Sequence, residues 1–141
     1  TPVEVALFNM EYARSRALQP INRVGINLAG PTLLVHGTEA QKARWLPTIL
    51  TAEEIWCQLF SEPDAGSDLA SLQTRAEKVE GGWRLTGQKV WTSYAHRAKF
   101  GILLARTNRE GKPQQGITFL LLDMATPGIT VKPIITSTNT E

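Results

Sequence analysis

Cys57-Gln58-Leu59-Phe60-Ser61-Glu62-Pro63-Asp64-Ala65-Gly66-Ser67-Asp68 runs from an apolar, β-prone stretch straight into a turn. Residues 55–60 carry side chains that pack well on a pleated surface. From Ser61 onward no regular element fits. Pro63 fixes its own φ and has no amide hydrogen, Gly66 opens left-handed conformations, and Ser61, Asp64, Ser67 and Asp68 have short side chains that bond nearby backbone. Such a loop presents hydroxyls and bare amides to an anion or an aromatic ring. It also divides the chain, with helical periodicity before it and strand-like runs after it.

On the N-terminal side, Val3, Ala6, Leu7, Met10, Ala13, Ala17 and Leu18 recur at intervals of three and four, which predicts a helix closed by Pro20. Residues 23–35 are apolar almost all round, so a buried helix is expected, made imperfect by Gly25, Gly30 and Pro31. Thr38-Glu39-Ala40-Gln41 reads as a capping box, opening a helix that runs through Pro47 to about Thr51.

On the C-terminal side, weak alternation over residues 72–79, the Gly81-Gly82 pair and the run from Trp83 to Trp91 predict a hairpin whose second strand is interrupted or bulged at Gly87. Residues 100–106, 117–123 and 129–135 complete about six strands. The expected fold is α+β: N-terminal helices over residues 1–53, then an antiparallel β-barrel-like domain over residues 54–141.

Composition narrows the function. The 141 residues are 42% hydrophobic and carry a net charge of +2 with scattered basic residues, which gives no support for nucleic-acid binding. Cys57 is the one cysteine, so an internal disulfide is excluded and a reducing, cytoplasmic setting is expected. No apolar run approaches membrane-spanning length, so membrane insertion is not expected. The chain begins at Thr1 without Met and stops in a polar run after Thr136, which reads as a piece of a longer protein.

Familiar catalytic patterns fail. There is no G-x-G-x-x-G, Gln88 displaces the Lys of a P-loop match over residues 82–89, and His36 and His96 lack cysteine partners for zinc. Ser67, His96 and Asp123 make a triad only on paper, because no nucleophile elbow surrounds a serine. Glu62, Asp64 and Asp68 do not match a calcium loop and read as a solvated turn, so no metal is expected. Ser67 and Asp68 are expected to cap a turn over residues 68–72. Trp91-Thr92-Ser93 joins an indole to two hydroxyls at a strand end, which suits either core packing or a shelf for a flat polar ring; packing is the commoner use.

In order, the chain contains Thr38-Glu39-Ala40-Gln41-Lys42-Ala43-Arg44-Trp45-Leu46-Pro47, the Cys57–Asp68 stretch, Leu85-Thr86-Gly87-Gln88-Lys89-Val90-Trp91-Thr92-Ser93 and Ala125-Thr126-Pro127-Gly128-Ile129. This series resembles the acyl-CoA dehydrogenase family, flavoenzymes that introduce a Cα–Cβ double bond into an acyl-CoA. The resemblance implies FAD as cofactor, with Ser61 at the pyrimidine edge of the flavin and Gln58, Phe60 and Gly66 around it. It further implies that Ser67 contacts the pyrophosphate or the acyl-CoA substrate, Trp91 lies on the isoalloxazine face, Ser93 bonds near N5 and Thr92 contributes backbone.

Asp64 stands where the family usually has Gly, and Ser61 and Ser93 where Thr is common. No catalytic residue is nominated, because the family's carboxylate base belongs to a C-terminal helical domain. The resemblance implies an electron-transfer flavoprotein as partner and a homo-oligomeric parent, and an isolated piece that is inactive and holds FAD weakly. The alternatives are a non-catalytic flavin-fold subunit or assembly module, and an acyl-CoA oxidase-like relative. Arg97, Lys99, Arg106, Arg109 and Lys112 read as a solvated face rather than a phosphate site.

Overall fold

The computed structural model describes residues 1–135, so the polar run after Thr136 lies outside the described residues. Helix α1 (Pro2–Arg14) is opened by a Thr1 capping box and buries none of its residues. It ends before the expected Leu18. The imperfect second helix resolves into a π-helical turn, Gly25–Ala29, that runs into α2 (Gly30–His36). The Thr38 capping box forms as expected: its hydroxyl accepts from the Gln41 amide at 3.2 Å, and the Thr38 amide donates to Gln41 Oε1 at 2.9 Å. Helix α3 (Glu39–Thr51) follows and carries Pro47 in its interior.

The β region holds β1 (Trp56–Leu59), β2 (Arg75–Val79), β3 (Gly82–Thr86), β4 (Phe100–Arg106) and β5 (Ile117–Asp123). Strand β4 is the hub. It pairs antiparallel with β5 along its whole length, from Phe100↔Asp123 to Arg106↔Ile117. Its other edge runs parallel to β1, from Trp56↔Phe100 to Leu59↔Leu103, and meets β2 at Arg75↔Arg106, again parallel. The sheet is therefore mixed, not purely antiparallel. Turn signals and alternation locate strands, whereas pairing direction depends on where a long crossover brings the chain back; here residues 60–99 return it alongside β1 in the same sense.

Three smaller expectations change. The β2–β3 hairpin turns on Glu80 and Gly81, with Gly81 at φ 79° and Gly82 already paired to Val79. Strand β3 breaks at Gly87 as expected but does not resume toward Trp91, and Gly87 lies against Thr74: a Cβ there would stand 2.7 Å from the Thr74 Cα. Residues 129–135 form no strand.

Side chains alternate across β1 and β4. Trp56, Phe100 and Ile102 face the helices and pack with Ala29, Leu33 and Ile49, while Leu103 and Ala105 pack on the other face with Ala76. Trp45 meets Trp56 edge-on at 6.3 Å between centroids, and Trp56 lies 5.1 Å from Phe100. Two buried polar residues fix helices to sheet. Asn22 donates through Nδ2 to the carbonyls of Ile49 (2.9 Å) and Glu54 (3.0 Å) and accepts from the Trp56 amide. Glu54 accepts from both Arg44 Nη atoms at 2.8 and 2.9 Å, from Lys99 Nζ at 2.7 Å and from Thr48 Oγ1 at 2.8 Å.

Cys57 is fully buried, and burial pushes its thiol up to about 11, which makes it a packing residue rather than a nucleophile.

Candidate functional site

Strand β1 delivers Gln58 on its helix-facing side, and the chain then leaves the sheet at Phe60 and Ser61. Glu62 and Ala65 close a tight hairpin over Pro63 and Asp64, the Glu62 amide donating to Ala65 O at 2.8 Å and the Ala65 amide to Glu62 O at 3.2 Å. Gly87 ends β3 and lets residues 88–93 run past this hairpin. The Val90 amide donates to Ser61 O at 2.9 Å.

Those two arms, closed by one helical residue, enclose a cleft of about 280 Å³ lined by Val24, Gln58, Phe60, Ser61, Val90, Trp91 and Ser93. Five residues expected at the site, Gln58, Phe60, Ser61, Trp91 and Ser93, thus share one cavity. Gly66 and Ser67 are exposed and stand outside its lining. Nothing lies within 4 Å of where a Cβ on Gly66 would be, so the backbone there can be approached closely. Thr92 is half-buried, and its Oγ1 is buried without a hydrogen-bond partner among the described residues.

Trp91 is 75% exposed and adopts φ 58°. An indole in a left-handed backbone conformation, turned to solvent instead of the core, is not packing the fold. Among the cleft-lining side chains none is ionisable, so the cleft itself offers apolar surface, an amide and two hydroxyls.

Glu62 is the main surprise in this region. Asp64 and Asp68 are exposed as a solvated turn requires, but Glu62 is 7% exposed. Its carboxylate accepts from the Gln73 amide at 2.6 Å, the Thr74 amide at 2.9 Å and Lys89 Nζ at 2.8 Å. Burial, the largest influence, would raise its pKa; Lys89 and the two amides outweigh it and hold the carboxyl at about 2. Lys89 also donates to Phe60 O at 3.0 Å, and burial lowers its pKa against the pull of Glu62.

Asp68 precedes a 3-10 turn, Leu69–Ser71, with no side-chain cap; its carbonyl accepts instead from the Ser71 amide and hydroxyl. Among the described residues no group of three metal-ligating side chains occurs, and no helix is long and apolar enough to cross a membrane.

Of the basic residues, Lys99 is bound to Glu54, and Arg106 donates to the carbonyls of Ala70, Leu72 and Pro113. Val24, Val90, Glu62 and Lys89 were not legible as site residues. The valines carried only an apolar signal, and nothing local showed that an acid in a polar turn would be buried.

Residues 57–140 match the family model described as acyl-CoA dehydrogenase, middle domain, and residues 1–53 match acyl-CoA dehydrogenase, N-terminal domain. The chain belongs to the acyl-CoA dehydrogenase family. Acyl-CoA dehydrogenase FadE34 of Mycobacterium tuberculosis is 50% identical over 134 residues, which are 95% of this chain and 19% of that protein. The ChsE4-ChsE5 complex from the same organism superposes with TM-score 0.82 at 34% identity, covering 94% of this chain and 34% of the other. A glutaryl-CoA dehydrogenase from Mycobacterium smegmatis in complex with FADH2 gives TM-score 0.67 at 33% identity, over 76% of this chain and 26% of that one. The chain therefore spans about a fifth to a third of the length of these relatives.

Proposed function

We propose that this chain is the flavin-binding part of an FAD-dependent acyl-CoA dehydrogenase, with a helical unit over residues 1–53 and a β unit over residues 54–141. The cleft then takes the isoalloxazine ring. Trp91 lies on its face, the Ser61 hydroxyl meets the pyrimidine edge, Ser93 bonds near N5, Thr92 contributes backbone, and Gln58 and Phe60 complete the surroundings. Gly66 lets the loop approach the cofactor, and Ser67 meets the pyrophosphate or the acyl-CoA.

The observation that carries this reading is the Trp91 indole, exposed and in a left-handed conformation, in one cleft with the hydroxyls of Ser61 and Ser93. A flat aromatic ring with polar edges suits that combination. The open space at Gly66 fits a ligand that extends beyond the cleft. Bound FAD would accept the hydride from Cβ of the acyl chain as a base removes the Cα proton, leaving a Cα–Cβ double bond and reduced flavin. Hydroxyls placed at its polar edge stabilise charge gained on reduction. Because no cleft-lining side chain is ionisable, the proton goes to a group outside this lining.

Electrons then pass to an electron-transfer flavoprotein, in a cytoplasmic, oligomeric enzyme of lipid metabolism. A full-length protein carrying this segment should be yellow and bleach on anaerobic addition of an acyl-CoA, whereas residues 1–141 alone should hold FAD weakly and not bleach. Re-oxidation by air at the rate of turnover would assign an oxidase instead.

A second reading, a non-catalytic subunit that completes a partner's site, is favoured by the lack of an acid or base in the cleft and by the two-protein assembly of the ChsE4-ChsE5 relative. A full-length protein that binds flavin yet does not bleach with any acyl-CoA would select it.

A further inference from the structure

We infer that the buried Glu62–Lys89 pair is the clasp that sets the separation of the two arms of the cleft, which makes both residues positioning residues for the flavin. The inference rests on the reading of the cleft as a flavin site. Both side chains are nearly inaccessible, at 6% and 7% exposure. A buried ion pair is weak support for stability, since its desolvation offsets much of its attraction. What it supplies is geometry.

Lys89 Nζ bonds at once to Phe60 O (3.0 Å) and to Glu62 Oε1 (2.8 Å), so one ammonium spans the arm that carries Phe60 and Ser61. Lys89 itself immediately precedes Val90 and Trp91 on the other arm. Glu62 is held in turn by the amides of Gln73 and Thr74, and the Val90 amide to Ser61 carbonyl bond lies directly beside the pair. The hydroxyl of Ser61 and the indole and hydroxyl of Trp91 and Ser93 therefore take their mutual placement from this pair together with the adjoining Val90–Ser61 backbone bond. Such supporting contacts decide whether a site keeps its geometry.

The test compares the full chain, wild type against Lys89→Met and Glu62→Gln, reading FAD affinity together with the visible absorbance band and induced circular dichroism of bound flavin. Both variants should bind FAD on the order of ten-fold more weakly and show a displaced flavin band and altered induced dichroism. Glu62→Gln keeps the side chain's length and one acceptor oxygen, enough for one of the Gln73 and Thr74 amides but not both, so it gives the smaller change of the same sign, and it decides the question alone if Lys89→Met does not fold. A folded variant with wild-type affinity and wild-type flavin spectrum, however lowered its melting temperature, overturns the inference. A wild-type chain that takes up no flavin overturns the underlying reading instead.

Discussion

Asn22 Oδ1 accepts from the Trp56 amide at 2.9 Å, with Asn22 fully buried, and so the helical segment is bonded to the first strand at the point where that strand begins. Replacing Asn22 by Ala strands the carbonyl of Glu54 and the amide of Trp56 and leaves the Ile49 carbonyl only the Ala52 amide at 3.4 Å. The expected cost is roughly 2–4 kcal/mol, read as a lower midpoint in urea unfolding. Gly25→Ala should act through the same residue, because its Cβ would stand 2.5 to 2.7 Å from the Asn22 amide group.

Acid stability should depend on two buried carboxylates. Glu54 is held at about 2, first by the Arg44 hydrogen bonds against burial, then by Lys99 and Thr48; Glu62 is also held at about 2. Both folded values lie below the ordinary value of 4.5. Their contribution is therefore present above about pH 5 and is lost as pH falls through the folded values. Melting temperatures should hold from pH 7 to about pH 5 and fall from there toward pH 2, and a Glu54→Gln/Glu62→Gln variant should show a lower but flatter profile.

Gly87→Ala should destabilise the protein by roughly 1–3 kcal/mol, since its Cβ would stand 2.7 Å from Thr74 Cα and Cβ, and neither backbone nor a β-branched side chain yields easily. The same change displaces the arm carrying Lys89 and Trp91. Denaturation and flavin titration should both report it.

Asp64 is exposed at the tip of the Glu62–Ala65 hairpin, so Asp64→Asn should leave stability within about 0.5 kcal/mol of wild type. With a cofactor bearing phosphates close to this loop, removing the charge should tighten FAD binding a few-fold at low ionic strength. The gain should shrink as salt screens it. An affinity for FAD that ignores both the substitution and the salt would place the phosphates away from this hairpin.

Much of the architecture was legible because short-range chemistry governs it. The Thr38 capping box, the break around Gly30 and Pro31 and the strand runs at residues 55–60, 100–106 and 117–123 each follow from a local pattern. Pairing direction did not, because the parallel alignment of Trp56 with Phe100 is made by a long excursion of the chain. At the site, Ser61, Trp91 and Ser93 were marked by their own chemistry and by resemblance. The left-handed backbone of Trp91 was not, since no glycine or asparagine signals it. Nor was the burial of Glu62 and Lys89, which depends on two segments meeting.

If Trp91 and its neighbours hold a flavin as proposed, the FAD dissociation constant of apo-protein, wild type against Trp91→Ala, reports it. Loss of one aromatic face is worth about 0.5–1.5 kcal/mol beyond the area it buries, so affinity should fall on the order of ten-fold while the melting temperature of the apo-protein stays unchanged. Equal dissociation constants for the two proteins would show that the Trp91 indole does not bear on the flavin.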